Sequence, residues 1–131
     1  MRIHHFGIVV RNISKSLELY KALGYEQETN YIFDDVQHNK LMFIKKNKFL
    51  IELIEPINNL SAVFNEKNLG YHHICYEVDD LDKYIKDFSS LGIGKIFTNK
   101  IKAPAFNDRY IVFAILKDGS LIEILEGDKN V

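Results

Sequence analysis

The chain repeats itself, and that repeat limits its possible folds more than any other feature. His4–Tyr25 (HHFGIVVRNISKSLELYKALGY) aligns without a gap on His72–Ile93 (HHICYEVDDLDKYIKDFSSLGI), at an offset of 68 residues. The histidine pairs coincide, Val10 meets Val78, Ile13 meets Leu81, Leu17 meets Ile85 and Gly24 meets Gly92. Further on, Leu50–Glu55 (LIELIE) falls on Leu121–Glu126 (LIEILE), at an offset of 71. Two matches in the same order and at nearly the same spacing mark a duplicated module of about 65 residues.

Within each module the periodicity is that of a strand, then a helix, then strands. Ile3–Val10 and Tyr71–Val78 are rich in β-branched and aromatic residues and read as strands. Leu81, Tyr84, Ile85, Phe88 and Leu91 recur at helical spacing, with Asp79 or Asp80 as cap and Gly92 as stop. Ile13, Leu17, Tyr20 and Leu23 mark the matching face of the first helix, between Asn12 and Gly24. Three extended stretches follow each helix, near Glu26–Phe33, Lys40–Lys45 and Lys48–Glu55, then near Lys95–Thr98, Tyr110–Leu116 and Ser120–Glu126. A linker, with a short helix expected around Ala62–Lys67, joins them.

The expectation is an α+β fold of two tandem βαβββ modules. Module one is 1–56, the linker 57–70 and module two 71–131, in a single domain. One such module covers only one face of its four-stranded sheet with a helix. Two copies are therefore expected to form one curved, eight-stranded mixed sheet around a cleft.

Composition narrows the function. Among 131 residues, 17 basic and 18 acidic side chains give a net charge of −1. That balance offers no surplus to neutralise a phosphate backbone, so nucleic acid is not an expected partner. Cys75 is the only cysteine, which excludes an intrachain disulfide and suits a reducing cytoplasm. No apolar run reaches the length of a membrane span or forms a signal peptide. Unpaired sheet edges make a homodimer plausible.

The repeat pairs His5 with His73, and Glu52 with Glu123. Side chains alternate along a strand, so His73 shares a face with Cys75 and Glu77, opposite the apolar Ile74, Tyr76 and Val78. Gly7 and Cys75, next along that face, are small and leave room for a ligand. Glu52 and Glu123 each interrupt an apolar strand, where a lone carboxylate is costly to bury. One divalent cation (Zn, Ni, Co, Mn or Fe) bound by all four residues satisfies the pattern. Positions left open for water or substrate would make the site catalytic. Arg109, expected at the cleft mouth, is a candidate partner for a substrate carboxylate or phosphate. Cys75 is a candidate wall residue beside the substrate.

His5–Val10 (HFGIVV), Glu52–Pro56 (ELIEP) and Gly70–Asp80 (GYHHICYEVDD) resemble the vicinal oxygen chelate superfamily over nearly the whole chain. Glyoxalase I, methylmalonyl-CoA epimerase, extradiol dioxygenases and antibiotic-resistance proteins belong to it, and the wording here is nearest the epimerase and glyoxalase I branches. The resemblance implies a metal held at His5, Glu52, His73 and Glu123. It implies an isomerase or lyase that removes a proton beside a carbonyl through a metal-stabilised enediolate, with Glu123 or Glu52 as base. The substrate would be small and anionic. The epimerases carry Gln where Glu52 stands, and a further Glu where this chain has Lys40. The glyoxalases carry a glutathione-binding Arg where it has Val9. A resistance-type binding protein without catalysis is the alternative function, and a ring-cleaving dioxygenase ranks last.

Overall fold

The computed structural model describes Met1–Asp128. These residues form a mixed α+β fold with ten strands and two α-helices. The chain divides into two compact units, one of His5–His72 and one of Met1–His4 with the chain from His73 onward.

In the first unit the strand order is β2 (Glu26–Gln27), β4 (Asn39–Lys46), β5 (Phe49–Pro56), β1 (Arg2–Val9), with β3 (Ile32–Asp34) also paired to β4. β1 runs parallel to β5, and β4 antiparallel to it. Helix α1 (Ile13–Ala22) starts at Asn12, whose Oδ1 accepts the Lys15 N–H at 3.1 Å. The Glu55 carboxylate accepts the Ile13 N–H at 2.8 Å, so a second acceptor, this one charged, satisfies the helix start. Ile13 and Leu17 pack with Val10, Met42, Ile44, Ile51 and Leu53. Ile51 and Leu53 thus face the helix, and alternation turns Glu52 to the other face.

The second unit repeats this plan. Its order is β6 (Gly70–Val78), β10 (Leu121–Glu126), β9 (Arg109–Leu116), β7 (Gly94–Ile96), with β8 (Ile101–Ala103) also on β9. β6 and β10 are parallel. Asp80 caps helix α2 (Leu81–Phe88) through the Lys83 N–H. Leu81 and Phe88 pack with Val78, Val112, Ala114, Ile122 and Ile124.

Three expectations need correction. Each module contains one more short strand than the periodicity indicated. In the first, the stretch Glu26–Phe33 breaks at Thr29, whose hydroxyl accepts the Phe43 N–H and donates to the Asn30 carbonyl. In the second, Ile101–Ala103 pairs with β9 where a loop was expected. Leu23 and Leu91 are exposed, because α1 ends at Ala22 and α2 gives way to a 3-10 turn at Ser89–Leu91. The linker helix is a single 3-10 turn at Glu66–Asn68, capped by Asn65.

Candidate functional site

The register of each parallel strand pair brings its histidine and glutamate together. Gly7 is paired with Glu52, and Cys75 with Glu123. In-register residues of neighbouring strands share a face, and His5 and His73 each stand two residues before the small residue. Each imidazole therefore lies diagonally beside its carboxylate. His5 Nε2 is 3.7 Å from Glu52 Oε1, and His73 Nε2 is 3.3 Å from Glu123 Oε1. All four residues are buried, at 1%, 5%, 2% and 3% exposure in the order His5, Glu52, His73, Glu123.

The His73–Glu123 separation fits donors that share a metal better than a simple ion pair. A tight charge-assisted hydrogen bond spans about 2.7–2.9 Å. Two donors each about 2.1 Å from one ion stand roughly 3.0–3.4 Å apart at ordinary coordination angles. His73 and Glu123 lie at metal-sharing distance in their unit, and His5 and Glu52 stand slightly wider in theirs. Imidazole nitrogen and carboxylate oxygen also suit the divalent transition metals. The donor types of each pair are ones that could hold a divalent cation.

Two site residues were not visible in sequence. Phe43 is in register with Glu52, and Phe113 with Glu123. The Phe43 ring meets His5 at a centroid distance of 5.3 Å and an interplanar angle of 79°. Phe113 meets His73 at 6.1 Å and 88°. The available signal was a phenylalanine in the strand before each LIE segment, at corresponding places in the two modules.

Cys75 is fully buried, beside Glu123 in the ladder. Arg109 lies near the C-terminal end of β6, where its Nη1 donates to Glu77 Oε2 at 2.6 Å and to the Glu126 carbonyl at 3.0 Å. Its Nε donates to the Phe106 carbonyl at 3.2 Å. Arg2 Nε donates to the other Glu77 oxygen at 2.7 Å. Glu55 and Glu126, the other repeated acids, serve the backbone by accepting the N–H groups of Ile13 and Tyr110. Lys40 sits 3.3 Å from Glu55.

Burial pushes the Glu77 carboxyl up, and hydrogen bonds and charge from Arg109 and Arg2 outweigh it, leaving it below the ordinary 4.5. A depressed carboxyl contributes stability above its unfolded value and loses it as pH falls through the folded value. The parent should therefore lose urea resistance below about pH 4.5, and its advantage over Glu77→Gln should shrink toward acid. A gap between the two unfolding midpoints that stays constant from pH 6 to 3 would contradict this assignment.

Among the described residues no helix is long and apolar enough to cross a membrane. Residues 4–113 match the family model of the glyoxalase/bleomycin resistance protein/dioxygenase superfamily. The mitochondrial methylmalonyl-CoA epimerase of Dictyostelium discoideum is 31% identical over 90 residues, which cover 65% of this chain and 54% of that protein. The match thus spans about half the length of that relative. The human mitochondrial methylmalonyl-CoA epimerase is 26% identical over 129 residues, covering 94% of this chain and 72% of that one. A variant of the Streptomyces coelicolor methylmalonyl-CoA epimerase, solved with 2-nitronate-propionyl-CoA, superimposes with a TM-score of 0.83 at 24% identity. That alignment covers 98% of this chain and 96% of the other, so the fold is the one the resemblance implied. With its duplicated module and its two buried histidine–glutamate pairs, the chain belongs to the glyoxalase/bleomycin resistance protein/dioxygenase superfamily.

Proposed function

We propose that this protein is a divalent-metal-dependent isomerase that moves a proton beside the carbonyl of an acyl-CoA thioester. The observation that carries the reading is the buried histidine–glutamate pair, built twice in the same register. The chain's similarity to methylmalonyl-CoA epimerases supports an acyl-CoA thioester as the substrate class. In this reading His5, Glu52, His73 and Glu123 hold one ion.

When bound, a divalent ion supplies Lewis acidity that makes a carbon-bound proton beside a carbonyl easier to remove. Everything else falls to the chain. The imidazole nitrogens of His5 and His73 would hold the ion together with the Glu52 and Glu123 carboxylates, and burial keeps bulk water from those carboxylates. Glu123 takes the proton from the carbon onto a carboxylate oxygen, while the electron pair of the broken C–H bond moves toward the thioester oxygen. Glu123 then returns a proton to that carbon as the electron pair moves back from the oxygen, and exchange of the carboxyl proton with solvent before the return carries the label. Phe113 stands in register with Glu123 and walls the base. Arg109 is the residue we assign to an anionic group of the substrate, and Cys75 to the wall of the site.

The test is proton exchange. Chain loaded in turn with Co²⁺, Ni²⁺, Zn²⁺ or Mn²⁺ is incubated with methylmalonyl-CoA in D₂O, and deuterium at the carbon between the carbonyls is followed by NMR. Incorporation that requires metal, with about one ion per chain by elemental analysis, is expected. No incorporation with any metal, beside tight metal-independent binding of a small molecule, would replace this reading with that of a binding protein.

A further inference from the structure

Each buried histidine–glutamate pair is accompanied by a phenylalanine whose backbone is pinned in the same unusual way. On β4, the Phe43 N–H donates to the Thr29 hydroxyl at 3.0 Å. The Phe43 carbonyl accepts the N–H groups of Glu28 and Thr29 at 2.9 and 3.3 Å. On β9, the Phe113 N–H donates to the Thr98 hydroxyl at 3.0 Å, and its carbonyl accepts the Phe97 N–H at 3.0 Å. In a regular antiparallel ladder a backbone carbonyl would take each phenylalanine N–H. Here a threonine side chain takes that place twice, where the neighbouring strand breaks after Gln27 and after Ile96.

The break has a consequence for the site. It halts regular pairing at the residue in register with the buried glutamate, and it ties both the N–H and the carbonyl of that residue to the broken segment. The anchored residue is the one whose ring meets the histidine nearly at right angles. An imidazole held edge-to-face loses freedom to turn about its ring torsion, and that torsion aims Nε2. Threonine, phenylalanine, histidine and glutamate thus form one chain of contacts, and the chain occurs in both units.

We propose that Phe43 and Phe113, anchored by Thr29 and Thr98, are positioning residues that orient His5 and His73 for metal binding. The inference rests on the ligand set proposed above. The phenylalanines touch no reacting atom. They spare the ion the entropy of ordering two imidazoles.

The experiment uses the full chain and Co²⁺ alone, titrated by calorimetry and by the visible absorption of the bound ion. Phe43→Leu and Phe113→Leu keep apolar volume and remove the edge-to-face contact. Each should weaken Co²⁺ binding by roughly tenfold, the lower end of what losing a ligand-orienting group costs, and should change the Co²⁺ spectrum. Thr29→Val and Thr98→Val keep the β-branched shape but delete the acceptor, and should shift both readouts in the same direction by less. Ile44→Val lies on the helix-facing side of β4 and should lower stability while leaving Co²⁺ affinity and spectrum unchanged. Folding of each variant is checked by far-UV circular dichroism before titration. Unchanged affinity and spectrum in the phenylalanine and threonine variants, beside a parent that binds Co²⁺, would overturn this inference alone. A parent that binds no Co²⁺ would overturn the ligand set, and the inference with it.

Discussion

Glu123→Gln removes most of the metal-dependent proton exchange, by about 10²- to 10⁴-fold, while the chain keeps its fold. The amide occupies nearly the same volume, and its oxygen can still approach His73 Nε2, which stands 3.3 Å from the carboxylate in the parent. It carries no negative charge for a cation and no basic oxygen for a proton. Both metal affinity and exchange should therefore fall, and loading with excess metal should restore only the first. Glu52→Gln is the informative twin. It installs the residue that the epimerase branch carries at that position, so its loss of exchange should be far smaller. Equal losses in the two variants would move the base away from Glu123, and exchange that survives in Glu123→Gln would sink its assignment outright. Deuterium incorporation by NMR and metal content by elemental analysis read both outcomes.

Arg109→Ala lowers the stability of the chain by about 2–3 kcal/mol, seen as a lower urea midpoint. The guanidinium satisfies a Glu77 oxygen and the carbonyls of Glu126 and Phe106, and Glu77 is buried. Removing it takes one of two cations from a buried carboxylate. The loss stays below that for a fully enclosed pair because Arg2 remains on the other oxygen. Arg2 is itself exposed, so Arg2→Ala should cost clearly less. The same variant tests the substrate role. If stability falls and KM for the thioester is unchanged, Arg109 serves the fold alone. If KM rises with little change in kcat, the substrate anion shares the guanidinium with Glu77.

The local patterns were legible in the sequence because they depend on residues close together in the chain. Strand alternation placed His5 and His73 on the face away from the helices, and the cores that pack against α1 and α2 agree with it. Helical spacing and the cap residues Asn12 and Asp80 located both helix starts. The repeat singled out Glu52 and Glu123 among eighteen acidic residues, because a carboxylate within an apolar strand recurs there and histidine recurs ahead of it. It could not separate them from Glu55 and Glu126 by repetition alone. Alternation phase did that, and the structure gives the latter pair backbone N–H groups to accept.

What the sequence by itself determined was therefore the module, its duplication and the residues that alternation and repetition single out. The tertiary structure decided which residues answer each other across strands. Arg2 finds Glu77 at a separation of 75 residues and Arg109 finds it at 32, and no periodicity of two or 3.6 reports on such pairs. The same holds for Thr29 and Phe43, 14 residues apart, and for Thr98 and Phe113, 15 apart. A threonine hydroxyl that replaces a ladder carbonyl leaves no trace in local hydropathy, because it is the register of the neighbouring strand that brings the phenylalanine N–H to it.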